Sequence, residues 1–238
     1  MTADLRLGRW QSVLADVECD ALICDPPYSR KVHQGNRSGA NPSDAYGRDQ
    51  INYAEWCAQD VAEFVGSWAP RTRGWMLALT SSDLIPAWID AYEDAGRLAF
   101  QPLPCVMPGM TCRLTGDGPS SWAVYAMVAR PRTHAMARWG TLDGAYFVRQ
   151  AKGWPTGAAR EGGGGRSKSI DLMRALVKDY SRPGDLICDP TAGFGTTGLA
   201  ALSMGRRFVG AECDEAAHAE AMRRLARPTN GDLLAGLG

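Results

Sequence analysis

Residues 186–201 read LICDPTAGFGTTGLAA. An apolar run ends in Asp189. A turn of small residues follows through Ala192, Gly193, Phe194 and Gly195, and a helical stretch starts at Thr196. Glycines let a backbone approach a ligand closely, and a helix N-terminus presents unpaired N–H groups. One strand later, Val209-Gly210-Ala211 ends in Glu212. An acidic residue at that point is placed to accept hydrogen bonds from two ribose hydroxyls. The loop lacks the Gly-Lys-Ser/Thr of a phosphate-binding loop. GFGTTG has the spacing of the dinucleotide fingerprint, but its Asp-Pro-Thr-Ala-Gly lead-in is unusual there and argues against a nicotinamide cofactor.

Working outward, short apolar runs alternate with helical patterns. Strands are predicted over 21–24, 74–80, 103–107, 122–129, 186–188 and 207–211. Helices are predicted over 53–68, 83–95 (capped by Ser82 or Asp83), 169–180, 196–204 and 215–225. Pro183-Gly184 ends the third of these helices. This βα alternation points to a mostly parallel sheet with helices on both faces. Two stretches break the pattern. Residues 29–52 are polar and rich in Gly, Asn, Ser and Arg, and residues 131–168 are basic and Gly-rich. Both read as loops or insertions beside the sheet, where function concentrates.

The totals are those of an ordinary globular chain: 238 residues, 45% hydrophobic and 22% charged, with net charge zero. One large domain, 1–238, accounts for that length. No apolar run is long enough to span a membrane. The N-terminus has no apolar signal core, so a cytoplasmic protein is the default expectation. The seven cysteines form no CxxC pair, which argues against a zinc site. Cys24, Cys188 and Cys213 lie in apolar runs and are expected to be free and buried. The basic charge is concentrated. Residues 130–182 hold eleven Lys/Arg against four Asp/Glu, and residues 29–48 hold Arg30, Lys31, Arg37 and Arg48 against Asp44.

A second motif lies near the start. Residues 21–30, ALICDPPYSR, run from a strand into Asp25-Pro26-Pro27-Tyr28. The two prolines fix φ near −65° and restrict the residue before each. The chain thus leaves the sheet rigidly, between a carboxylate and an aromatic ring.

Together, DPTAGFGTTGLAA and DPPY resemble the cofactor loop and catalytic motif of the amino DNA methyltransferases. DPPY precedes the glycine loop here, which is similar to the permuted beta class. The resemblance spans about Leu5 to Leu225 and is weakest in 29–52 and 131–168. It implies a Rossmann-like S-adenosylmethionine-dependent methyltransferase fold, with a mostly parallel seven-stranded sheet and a small target-recognition insertion. It implies methyl transfer from S-adenosylmethionine, without a metal, to an exocyclic amino group of a base flipped out of double-stranded DNA. Asp25, Pro26, Pro27 and Tyr28 are then the catalytic set. Asp25 and the Pro26 carbonyl would accept from the amino group, and Tyr28 would stack on the base. The cofactor set is Asp25, Lys168, Asp189, Thr191, Ala192, Gly193, Phe194, Gly195, Thr196 and Glu212. Lys168 matches a family lysine, although Ser169 stands where the family has proline. Gly8-Arg9-Trp10 replaces the family's Gly-Asp near the cofactor adenine, and Trp10 either stacks there or belongs to the core.

Residues 29–52 would close over the base, and 130–167 would recognise the target. DNA contacts are expected from Arg30, Lys31, Arg37, Arg132, Arg138, Lys152, Arg160 and Arg166, and Trp139 and Trp154 are further candidates. Asp at the first position of the motif favours N6-adenine; N4-cytosine is the alternative, and a DNA-binding protein without catalysis is another. Pro104-Cys105 resembles the nucleophile pair of cytosine-C5 enzymes, but it lies on a predicted strand and reads as core. Beta-class relatives are often dimers, which leaves a homodimer open.

Overall fold

The computed structural model describes residues 3–30, 55–108, 119, 121–132, 139–148 and 168–226. β1 (Ala3–Leu7) and the short helix α1 (Trp10–Val13) open the chain. Then come β2 (Ala21–Cys24), α2 (Ala58–Trp68), β3 (Met76–Thr80), α3 (Ile85–Asp94), β4 (Arg97–Ala99), β5 (Leu103–Val106), β6 (Ala123–Pro131) and β7 (Tyr146–Phe147). α4 (Ile170–Tyr180), β8 (Leu186–Asp189), α5 (Thr196–Ser203), β9 (Arg207–Glu212) and α6 (Glu215–Leu225) follow.

Among the described residues one sheet of nine strands forms, ordered β1-β9-β8-β2-β3-β6-β5-β7, with β4 also paired to β6. From β1 to β3 every neighbouring pair is parallel, as helical crossovers such as β2-α2-β3 and β8-α5-β9 require. β6 runs antiparallel to β3, β4 and β5. Seven strands were expected. The residues placed six of them; β1, the three-residue β4 and the two-residue β7 were not placed, and the last two are too short to carry a period of their own. β7 comes from within the basic segment and pairs in parallel with β5. β8 and β2 are neighbours although they come from opposite ends of the chain. From this pair the sheet grows outward in both directions, so a topological switch point lies between them.

Alternation along the strands feeds two cores. Ile23, Leu77, Leu79, Ile187 and Phe208 face one side, with Leu172, Leu176 and Val177 of α4, Ala200 and Ala201 of α5 and Ala221 of α6. Leu22, Cys24, Met76, Ala78, Cys188 and Val209 face the other, with side chains of α1, α2 and α3. α4 shows why it is a helix: Leu172, Met173, Leu176, Val177 and Tyr180 recur on one face and all are buried.

Trp10 belongs to the second core, with its ring 5.4 Å from Phe64 and 6.1 Å from Trp68. Burial there removes it as a stacking surface for a cofactor. Cys105 is buried on β5, and burial pushes its thiol up to about 12, so it is a core residue and a poor nucleophile. Cys24 and Cys188 are buried as expected, but Cys213 is exposed, because the chain has left β9 one residue earlier.

Helix boundaries shift at two places. The helix expected over 53–68 begins at Ala58, where Cys57 and Asp60 form a capping box; the Cys57 N–H donates to Asp60 Oδ2 at 2.8 Å. Before it, Trp56 pairs with Ser29 instead of coiling. The N-cap position of α3 is Leu84, not Ser82 or Asp83. A single 3-10 turn, Ser82–Leu84, leads into it, and Pro86 sits in its first turn. Two buried arginines close the structure against main chain. Arg97 donates to the carbonyls of Gly74, Ala69 and Thr72, and Arg206 donates to Ser181 and the Met204 carbonyl.

Candidate active site

Three acidic residues stand at the carboxyl ends of neighbouring strands: Asp25 just after β2, Asp189 ending β8 and Glu212 ending β9. Each anchors a different piece of the crevice at the switch point.

Asp189 is 1% exposed. Its Oδ1 accepts from the Thr191 N–H at 3.0 Å, which fixes the turn over Pro190. Burial pushes its carboxyl up to about 7, and the charges of Asp25 and Glu212 push the same way, while hydrogen bonds from Thr197 and Thr191 oppose. Near neutral pH this acid is partly protonated.

The glycine loop then turns on two left-handed residues, Gly193 at φ +51° and Gly195 at φ +73°. Their surroundings differ. A Cβ on Gly195 would come within 3.2 Å of Ala221, so Gly195 is needed for packing as well as for conformation. A Cβ on Gly193 would meet nothing within 4 Å, so the loop backbone faces open space there. Gly210 lets β9 lie against β8, since a Cβ would sit 2.9 Å from the Asp189 carbonyl. Glu212 Oε2 accepts from the Gly193 N–H at 2.8 Å, and Oε1 accepts from the Asp214 N–H at 2.8 Å. A carboxylate has about four acceptor positions, so two remain for hydroxyl donors. Arg224 from α6 donates to the Phe194 carbonyl at 2.5 Å and to Thr196 Oγ1 at 3.3 Å, fastening the loop from behind. Sequence reasoning missed Arg224. Its only signal is a basic residue in the last turn of the helix after Glu212.

The second piece is built on Asp25. Tyr28 Oη donates to Asp25 Oδ1 at 2.8 Å, and Lys168 Nζ donates to Asp25 Oδ2 at 2.8 Å. The Lys168 ammonium also lies 4.7 Å from the centre of the Tyr28 ring. The Tyr28 carbonyl accepts from the Trp56 N–H at 3.1 Å, and the Trp56 ring stacks on Trp88 with centroids 6.4 Å apart. Trp88 donates to Thr80 at the end of β3 at 3.1 Å. DPPY is therefore tied to the carboxyl end of β3 through two tryptophans.

The structure thus brings Asp25, Tyr28 and Lys168 together, and brings Asp189, Gly193, Gly195 and Glu212 together beside them. Of the expected DNA contacts, Arg30 is exposed and lies 3.9 Å from Glu55, and Arg132 is exposed at the end of β6. Lys31, Arg37, Arg138, Lys152, Arg160, Arg166 and Trp154 lie outside the described residues. Trp139 is an anchor of the fold. It donates to the Asp179 carbonyl at 2.5 Å, carries the Arg182 guanidinium at 3.7 Å over its ring, and packs 5.7 Å from Trp75.

Among the described residues, no group of three or more His, Cys, Asp or Glu is arranged to hold a metal ion. No helix among them is long and apolar enough to cross a membrane. A concavity of about 290 Å³ lies at the opposite, amino ends of β1, β8 and β9. Its charges satisfy one another, Arg6 pairing with Asp4 and Asp16, and it is remote from the crevice.

Residues 152–223 match the family model described as DNA methylase. The chain is 39% identical over 54 residues to the DNA adenine methyltransferase YhdJ of Escherichia coli strain K12, covering 23% of this chain and 18% of YhdJ. The matches to the two curated Escherichia coli relatives span 26% and 18% of their lengths. Across solved structures the likeness is far longer. The M1.HpyAVI complex with SAM superposes with a TM-score of 0.71 at 18% identity, covering 95% of this chain and 100% of that one. The cytosine-N4-specific PvuII DNA methyltransferase superposes with a TM-score of 0.63 at 12% identity, covering 95% and 87%. The fold is the Rossmann-like one of S-adenosylmethionine-dependent DNA methyltransferases.

Proposed function

We propose that this protein transfers a methyl group from S-adenosylmethionine to the N6 amino group of adenine in double-stranded DNA. One observation carries the reading. DPPY and the glycine loop, from opposite ends of the chain, end adjacent strands and meet at one crevice. The DNA methylase match over the glycine loop supports it, as does the SAM complex of the M1.HpyAVI neighbour.

The residues present fit the cofactor. The open backbone at Gly193 would receive it, Glu212 would take the ribose hydroxyls on its free acceptor positions, and Lys168 would meet the carboxylate of the methionine part. When bound, S-adenosylmethionine supplies a methyl group on a sulfonium, already activated for displacement. The chain has three tasks. It must orient the acceptor, since positioning alone contributes several kcal/mol of a displacement barrier, roughly 7–11 in the best cases. It must make the amino nitrogen nucleophilic. An amino lone pair delocalised into the ring is a poor donor, and acceptors on its two N–H bonds favour a more tetrahedral nitrogen. Asp25 and the Pro26 carbonyl provide those acceptors, held by the proline-restricted backbone. Finally, it must hold the base, for which Tyr28 offers a ring face. Residues 29–52 and 130–167 are proposed to close over and recognise the DNA, with Arg30 and Arg132 on phosphates.

The test is direct. The protein is incubated with S-adenosylmethionine and DNA from a methylation-deficient host, and the digested nucleosides are identified by mass spectrometry. N6-methyladenine is expected, and Asp25→Ala should abolish it while cofactor binding persists. The PvuII neighbour favours a second reading, N4-cytosine, which the same measurement would reveal as N4-methylcytosine. Cofactor binding with no methylated base in any DNA would overturn both.

A further inference from the structure

Four buried side-chain groups among the described residues have no hydrogen-bond partner: Ser29 Oγ, Trp68 Nε1, Trp75 Nε1 and Ser81 Oγ. A polar atom shut off from water without a partner is costly, and native structures keep few of them. The two indoles lie inside the two cores. Ser29 follows DPPY, and its main chain is bridged to Trp56. Ser81 differs from these because the strand before it fixes where it points. It is the first residue after β3, and its backbone is still extended, at φ −84° and ψ 158°. Side chains alternate along an extended chain. Thr80 accepts from the Trp88 indole on the α3 side, so Ser81 turns to the other side, the one faced by Leu77 and Leu79. Ile23 faces that side as well, Asp25 follows it by the same alternation, and Tyr28 packs against the same core. The hydroxyl also forgoes the bond that its position offers. Ser81 is the N-cap of the turn Ser82–Leu84, where a serine ordinarily accepts from the main chain, and its side chain makes no such bond.

We propose that Ser81 reads the ring edge of the flipped base. β2 and β3 are parallel neighbours, with Cys24 beside Ala78. Asp25 therefore lies beside Leu79, and Ser81 is two residues further out on the next strand. At a rise of about 3.3 Å per residue and a strand spacing of about 4.8 Å, their Cα atoms are roughly 8 Å apart. One base fills that span, with its amino group on Asp25 and the adjoining ring nitrogen on Ser81. In adenine that nitrogen is N1, a bare acceptor. Asp25 and the Pro26 carbonyl take the amino hydrogens, but the ring nitrogen needs a donor, and the Ser81 hydroxyl supplies it. Ser81 as a whole is half-buried, so rotation about χ1 turns its hydroxyl into the crevice. A bound base then satisfies a donor that the fold leaves unpaired. This deepens the proposed function and rests on it: Asp25 acts on the group that is methylated, and Ser81 holds the ring in place beside it.

The test is methylation of duplex oligonucleotides carrying the target sequence, as mapped by sequencing the methylated DNA. The methylated position holds adenine, 1-deazaadenine or 7-deazaadenine. 1-Deazaadenine keeps the amino group and puts C–H in place of N1, whereas 7-deazaadenine leaves N1 intact. Ser81→Ala should lower kcat/KM on adenine roughly 10-fold, the scale of one lost hydrogen bond, with S-adenosylmethionine affinity unchanged. 1-Deazaadenine should lower the wild-type value by a similar factor. The variant should lose nothing further on 1-deazaadenine, because both changes remove the same bond. On 7-deazaadenine the ratio of wild type to variant should be that on adenine. The melting temperature of Ser81→Ala should not fall, since the hydroxyl has no partner within the fold to lose. If the methylated base is cytosine, 3-deazacytosine takes the place of 1-deazaadenine. Wild-type kcat/KM in Ser81→Ala, losses from variant and analogue that multiply, or a lower melting temperature would each overturn the inference and leave methyl transfer by the wild type standing. No transfer by the wild-type protein to any DNA would sink the proposed function, and this inference with it.

Discussion

At the scale of single residues, burial decides behaviour more than residue type. Asp189 is buried beneath a glycine loop, and burial pushes its carboxyl up to about 7. The sign of its effect on stability follows. A folded-state value above the unfolded one means that the native state holds more protons between about pH 4 and pH 7. Stability should therefore fall as pH rises through that window, by a few kcal/mol for this one group. Asp189→Asn should remove this slope and raise the melting temperature at pH 8, as pH-dependent thermal melts would show. A slope unchanged in the variant would refute the assignment. Gly193 and Gly195 offer a second contrast. Gly193→Ala places a side chain at positive φ in open space and should cost about 1 kcal/mol. Its larger effect should be on S-adenosylmethionine affinity, because the Cβ would enter the open space where the cofactor is proposed to sit. Gly195→Ala should cost more stability, since its Cβ presses on Ala221 as well. Calorimetry and melting on the same two variants separate these effects.

At the scale of elements, much of the site was legible because its determinants are local. The DPPY turn, the glycine loop and the amphipathic face of α4 are each written in a few consecutive residues. β1 was not legible. Its sequence ADLRL alternates a charge into the strand, and only its pairing with β9 makes it one. The same holds for β4 and β7, which exist as additions to β6 and β5. The start of α2 was misread because Trp56 continues the apolar period of the helix while its main chain pairs with Ser29. Arg224 was missed because a long side chain at a helix end does not declare its target. It holds the glycine loop at Phe194 and Thr196, so Arg224→Ala should loosen that loop. The loss of charge-assisted hydrogen bonds is worth about 1.5–3 kcal/mol. A several-fold weaker affinity for S-adenosylmethionine is expected, together with a lower melting temperature, and hydrogen exchange over residues 192–197 would report the loosening.

At the scale of the whole molecule, the net charge of zero conceals a strong asymmetry. Residues 29–48 and 130–182 are basic, and the rest of the chain compensates. If those segments meet phosphates, counterion release makes binding salt-dependent, with a loss of roughly 100-fold between 50 and 200 mM salt for about four contacts. A flat response across that range would count against DNA as the partner. The aromatic cluster of Trp10, Trp56, Phe64, Trp68, Trp88 and Tyr92 stabilises the opposite face of the sheet and also ties DPPY to β3. Trp88→Ala should cost about 3–5 kcal/mol and should impair methyl transfer even where the protein remains folded, because Trp56 loses its support.

From sequence alone came the alternation of strands and helices, the two motifs and their order along the chain, and hence a crevice at the carboxyl end of a mostly parallel sheet. These follow from covalent restriction at proline, conformational freedom at glycine and the periods of strand and helix, all of which act over a few residues. Tertiary structure decided the rest. It turned Trp10 and Trp139 into packing residues, left Cys213 at the surface, recruited β1, β4 and β7 to the sheet, and set Lys168 on Asp25. Apart from Cys213, each of these depends on a partner distant in the chain. The free energy of such a contact lies in desolvation and pairing between two segments, and neither segment carries it alone.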